Sequence, residues 1–166
     1  MRDSEHWQVV EQVVSANDGT LVGKTRLQKT IYLLQALGLG TSYDFEYHHY
    51  GPYAEGLAED VEWAKFLGNL KTKEKPGHHQ VPYTIFETTQ PAPTVVGELS
   101  FSNAKSVLIR LEKYPAVVLE LAATLHFLRA SSTTVDAEKE LKIRKPDKAA
   151  SERLANAKSL LRELGL

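Results

Sequence analysis

A chain of 166 residues, 42% hydrophobic and 25% charged, carries enough apolar material for one core, and its length favours a single domain. Its net charge of −1 gives no global pull toward nucleic acid or anionic lipid, and the absence of cysteine excludes disulfides, thiol nucleophiles and thiolate metal sites. The charged opening, MRDSEHWQVVEQVV, is unlike a signal peptide, and the longest apolar run, Ala116 to Leu128, is too short for a bilayer. We therefore expect a cytoplasmic protein with no membrane partner.

Ser4 or Asp3 is placed to cap a first helix with Trp7, Val10 and Val14 on its inner face, joined by Val9 and Val13. Asn17-Asp18-Gly19 ends it. Gly19 to Thr25, GTLVGKT, imitates a phosphate-binding loop, but its glycines are one residue too close and a helix precedes it where a strand is required. A plain loop into the next helix is the better reading. That second helix runs from about Lys24 to Leu37, with Leu27, Ile31 and Leu34 inward, Arg26 and Lys29 on the other side, and Gly38 as its stop.

The stretch from Tyr43 to Leu70 organises the chain. Phe45 and Tyr47 alternate with polar residues as in a half-buried strand. Gly51-Pro52 breaks it, with Pro52 expected as the first residue of a third helix. Ala54, Leu57, Ala58, Val61 and Ala64 form that helix's core stripe, and Glu55, Glu59 and Glu62 a second, acidic stripe. Phe66, Leu67 and Leu70 are expected to close its end. A hairpin follows, with arms Leu70 to Lys75 and Val81 to Thr88, a type II turn centred on Pro76-Gly77, and Pro82 marking an edge strand. Pro91, Pro93 and Gly97 mark a connector. Beyond it, Ser102 is read as the cap of a helix carrying Ala104, Val107, Leu108 and Leu111. Pro115 starts the almost wholly apolar helix from Ala116 to Arg129, which belongs at the centre of a core. Thr134 is expected to cap Val135 to Lys142, and Asp147 a last helix with Leu154, Ala157, Leu161 and Leu164 on one face.

Chemistry-bearing residues are sparse. Adjacent residues on a strand point to opposite faces, so neither His48-His49 nor His78-His79 chelates as a unit. His126, among apolar neighbours, reads as a hydrogen-bonded core histidine with a carboxylate partner rather than as a base. No paired carboxylates, serine elbow or Gly-rich cofactor loop is seen, so we expect neither catalysis nor a cofactor. Three helices followed by a hairpin is the order of a winged helix. Lys71, Lys73 and Lys75 would then sit on the wing, where they could meet phosphates. The acidic stripe of the third helix opposes entry into a DNA groove.

Arg26-Leu27-Gln28-Lys29 with Ile31-Tyr32-Leu33-Leu34-Gln35, then Phe45-x-Tyr47-x-x-Tyr50-Gly51-Pro52-Tyr53, resembles the SocA-like antitoxin (Panacea) domain family and related phage-associated bacterial proteins. Leu57 and Asp60 fall where that pattern has Leu and Asp; Ala54 stands where it commonly has Ser. The likeness covers Gly23 to Leu70 best and is fainter beyond. It implies a mostly helical domain that works by binding protein, neutralising a toxin encoded nearby or delivering it to a protease. The expectation is thus an α+β, predominantly helical protein. Its winged-helix-like lobe would span 1–90, with a small β-hairpin, and a helical lobe 91–166 would pack on it within one domain. The function expected is a protein-binding antitoxin or adaptor; the alternative is a winged-helix DNA-binding regulator. Tyr47, Tyr50 and Tyr53 are read either as partner anchors or as packing of the strand-to-helix corner, with Arg26 and Lys29 as polar partners.

Overall fold

In the computed structural model, which describes residues 6–131 and 136–166, the opening valines form α1 (His6–Ala16). Val9, Val10, Val13 and Val14 are all buried, because spacings of three and four residues put them on one side of the helix. The proposed caps Ser4, Asp3 and Thr134 lie outside the described residues. After a turn with Asp18 and Gly19 at positive φ, the chain forms β1 (Thr20–Val22) and then α2 (Lys24–Ala36). The segment GTLVGKT, expected as a loop, is therefore partly a strand. Three residues with one buried side chain, Leu21, give too short an alternation to be read from sequence.

Two short strands, β2 (Glu46–His48) and β3 (Gly51–Tyr53), pair antiparallel before α3 (Glu55–Leu67). β4 (Lys71–Pro76) and β5 (Pro82–Glu87) follow, and the larger sheet has the order β1-β5-β4, antiparallel throughout. With β2–β3 set aside as an insertion, α1-β1-α2-α3-β4-β5 is a winged-helix arrangement. A two-residue-strand hairpin, β6 (Val95–Val96) and β7 (Leu99–Ser100), leads into α4 (Phe101–Glu112), α5 (Ala116–Ala130), α6 (Ala137–Arg144) and α7 (Ser151–Leu164). The protein is α+β and predominantly helical.

The core has two centres. One joins α1, α3 and the sheet to Val96, Ala104 and Leu108; the other surrounds α5 with α7, Leu141, Tyr32 and Leu33. α2 and α4 contribute to both, so the packing crosses the connector near residue 90. α5 is central, as its apolar circumference predicts: Leu119, Leu121, Ala122, Ala123 and Leu125 are fully buried. Among the described residues, no helix is long and apolar enough to cross a membrane.

Several local expectations are corrected. Pro52 does not start α3; it lies in β3 opposite Tyr47, and the helix begins at Glu55 after Ala54. The hairpin turns at His49-Tyr50, closed by Gly51 at φ 85, where any Cβ would run into the Thr124 hydroxyl. Pro82 is the first residue of the central strand, not a mark of an edge. It faces Pro76, while β1 covers only Ile85 to Glu87, so no β1 acceptor is left waiting at Pro82. Pro76 ends β4, and the turn is longer than type II: Gly77 N–H donates to Val81 O (3.0 Å) around a 3-10 turn at His78–Gln80. Ser100, not Ser102, caps α4, accepting from Asn103 N–H (3.1 Å). α7 begins after Ala150 with no side-chain cap, so Asp147 does not serve it. α3 does end at Phe66-Leu67, but both side chains are exposed, and of the three residues expected to close it Leu70 alone is buried. His126 Nδ1 shares its hydrogen bond with the Tyr32 hydroxyl (2.7 Å) and not with a carboxylate, and burial, with the nearby Arg129 charge, lowers its pKa.

Candidate functional site

The β2–β3 insertion is held at both ends by two glutamines of α2, seven residues and two helical turns apart on one face. Gln28 brackets Ala54: its Nε2 donates to Ala54 O (3.1 Å) and its Oε1 accepts from Ala54 N–H (3.0 Å). Gln35 treats Tyr43 in the same way, at 3.0 and 2.9 Å. A side-chain amide carries a carbonyl and an N–H, so each glutamine stands in for one residue of a neighbouring strand. The Tyr43 ring is buried, and its hydroxyl donates to Asp60 Oδ2 (2.5 Å). Burial and that bond to Asp60 push the phenol far above its ordinary pKa, while burial raises Asp60.

The hairpin itself rests on a buried ionic cluster. Glu120, the one acid of α5, accepts from Lys145 Nζ (2.7 Å) and Lys148 Nζ (3.1 Å), with Glu120 and Lys145 side chains each only 4% exposed. Lys145 also donates to His49 O (2.9 Å), and Lys29 Nζ to Pro52 O (2.6 Å). Two ammonium groups thus tie the hairpin backbone from below. Burial lowers the Lys29 pKa to about 8; Glu120 opposes the shift, and Lys145 and Lys148 add to it.

The three tyrosines share this hairpin but differ in setting. Tyr47 is half-buried beneath the Arg144 guanidinium, 4.4 Å from its ring centre, and Arg144 is itself held by Glu140 (2.7 Å). Tyr53 is half-buried against the His48 ring at 4.8 Å. Tyr50, at the turn, is 54% exposed, with the His49 ring at its edge and Lys148 Nζ 4.8 Å from its centre. Lys29, expected as a polar contact for a partner, is 1% exposed and spent on the backbone of β3. Arg26 is turned away, donating to Leu111 O (3.1 Å) and Tyr114 O (2.7 Å) at the end of α4. Beside the hairpin, a cavity of about 540 Å³ opens toward α3 and the sheet, with Leu27, Val61 and Phe86 among its apolar walls and Tyr50 and Tyr53 at the hairpin side.

Lys71, Lys73 and Lys75 alternate along β4 with Thr72 and Glu74, which line that cavity. The lysines consequently face away from α3, and Lys73 pairs with Glu87 (3.0 Å). His48, His49, His78 and His79 do not converge; among the described residues, no three His, Asp or Glu side chains are placed to hold a metal. The sequence reading missed the Lys145, Lys148 and Arg144 contributions. Their signal was the single carboxylate in the apolar run of α5, which had to find a cation, though not which one.

No protein-family model matches the chain. It is 28% identical over 153 residues to a Bacillus subtilis (strain 168) protein described as "Uncharacterized protein YwgA", a similarity spanning 91% of this chain and 92% of that relative.

Proposed function

We propose that this chain is a cytoplasmic, protein-binding antitoxin or adaptor of the SocA-like type, acting by contact with a partner protein and without catalysis. The observation that carries the reading is the setting of Tyr50. An exposed aromatic stands at the tip of a hairpin whose backbone is tied by Lys29, Lys145 and Gln28, so little ordering entropy is lost when a partner covers it. Tyr47 and Tyr53 flank it as partly packed supports. The resemblance of Gly23 to Leu70 to the SocA-like pattern supplies the partner class, a toxin encoded nearby. The test is co-expression with the product of the adjacent gene, scored by growth and co-purification. Rescue and capture by the wild type, with both lost in Tyr50→Ala, support the reading. A neighbour that is harmless, or toxic but neither rescued nor bound, defeats it for that pair. The winged-helix order favours a second reading, a DNA-binding regulator, but the acidic outer face of α3 and the placement of the β4 lysines weigh against it.

A further inference from the structure

The outer face of α3 carries an aromatic surface that neither the hairpin nor the core uses. Phe66 is 80% exposed, Leu67 55% and Trp63 50%, and the Trp63 and Phe66 rings meet edge to face at 6.3 Å. Two aromatic side chains of roughly 150–250 Å² each, exposed to that degree, present roughly 300 Å² of apolar surface, in the range of the largest patch on a typical monomer. Beside Leu67 the surface dips into a cleft of about 320 Å³ bounded by Trp7, Gly68, Pro91 and Pro93, room for an incoming side chain. Toward the N-terminus of the same helix the exposed residues turn acidic. Glu59 is one turn before Trp63, Glu62 one turn before Phe66, and Glu55 one turn before Glu59. α3 holds four carboxylates and one ammonium, Lys65, which is already paired with Glu62 (3.1 Å).

We propose that this face binds a basic amphipathic helix of a partner protein, its apolar side on Trp63, Phe66 and Leu67 and its lysines or arginines over Glu55, Glu59 and Glu62. The charge decides the occupant. A second copy of this face would set its carboxylates on like charge or on bare apolar rings, with no unpaired cation of α3 to meet them, and a nucleic acid would be repelled, whereas a cationic amphipathic helix satisfies both halves of the surface. The inference rests on the protein-binding reading above and names the chemistry of the partner segment.

The probe is a synthetic 18-residue helix of leucine and lysine with leucines on one face, against a scrambled peptide of the same composition, titrated by calorimetry at ~150 mM salt. Wild type is expected to bind the amphipathic peptide at least tenfold more tightly than the scrambled one. Trp63→Ser with Phe66→Ser should lose tenfold or more. Glu55→Gln with Glu59→Gln should lose several-fold and flatten the salt dependence. Tyr50→Ala should bind the peptide as wild type does. All four substituted groups on α3 are exposed, and circular dichroism checks that the variants stay folded. No preference for the amphipathic peptide, or equal binding by the Trp63/Phe66 variant, overturns the inference. If the adjacent gene product is bound and neutralised equally well by that variant, this inference fails while the antitoxin reading stands. If the peptide binds through α3 and the neighbour is ignored, the antitoxin reading fails for that pair and the surface assignment stands.

Discussion

Replacing Glu120 with Gln keeps the side chain's shape and removes its charge. What remains is Lys145, 4% exposed, and Lys148, both aimed at an amide that accepts from them far more weakly than a carboxylate. Lys29, also buried nearby, loses the one charge that favours its protonated form. Breaking a buried ion pair from one side costs about 3–5 kcal/mol, since the surviving charge stays desolvated. That is a large part of the 5–15 kcal/mol a domain of ordinary stability has. Replacing both partners, Glu120→Leu with Lys145→Met, removes the buried pair together and leaves the part-exposed Lys148 to turn to solvent, so it should cost less than Glu120→Leu alone, despite the lost bond to His49 O. Urea denaturation followed by circular dichroism gives the full cycle, with wild type, both singles and the double variant. A coupling of about 2 kcal/mol or more between the two sites is expected. Additive effects, or a Glu120→Gln loss under ~1 kcal/mol, would refute the claim that the cluster seats the hairpin.

Leu57 is fully buried in the α3 stripe, and Leu57→Ala should lower stability by about 2–5 kcal/mol in the same assay; a loss below 1 would contradict its core position. Lys29 provides a test by pH. Its folded pKa of about 8 lies below the ordinary 10.5, so between those values the unfolded chain holds a proton the folded chain has released. Its contribution to stability should therefore rise with pH through that window, by about 2 kcal/mol between pH 8 and 9.5, and be flat below. Wild type compared with Lys29→Met at pH 7 and 9.5 isolates it; a gap that stays constant or moves the other way would count against the burial of the ammonium. Duplex DNA should bind weakly and with strong salt dependence through Lys71 and Lys75, and nanomolar, sequence-selective binding at ~150 mM salt would instead favour the regulator reading.

What was legible in the sequence was long periodicity. The four-valine face of α1, the Leu27-Ile31-Leu34 stripe of α2 and the apolar α5 could be read because each repeats over several turns. The winged-helix order followed from counting those elements. What escaped was short or contributed from a distance. β1 is three residues, and the pairing that makes it a strand comes from residues 85–87. Pro52 has a backbone compatible with a helix start, and only the partner strand and the ammonium of Lys29 show that it belongs to β3. Lys29 is an ordinary surface residue by type, and it is buried where α2 meets the inserted hairpin, whose Pro52 O accepts its ammonium. The candidate tyrosines were found together, but which of them is exposed depends on Arg144 and Lys148, about a hundred residues away. The exposure of the aromatic end of α3 was not legible, because hydrophobic type does not say which side of a helix end is covered.

The central claim is that a partner protein is gripped through the exposed tyrosine of the inserted hairpin. Calorimetry of the purified chain against the product of the adjacent gene, wild type beside Tyr50→Ala, tests it most directly. The account predicts measurable binding by the wild type and a loss of about 2 kcal/mol, roughly thirtyfold in Kd, for the variant with its fold unchanged. Binding that Tyr50→Ala leaves intact, or no binding by the wild type, would contradict it.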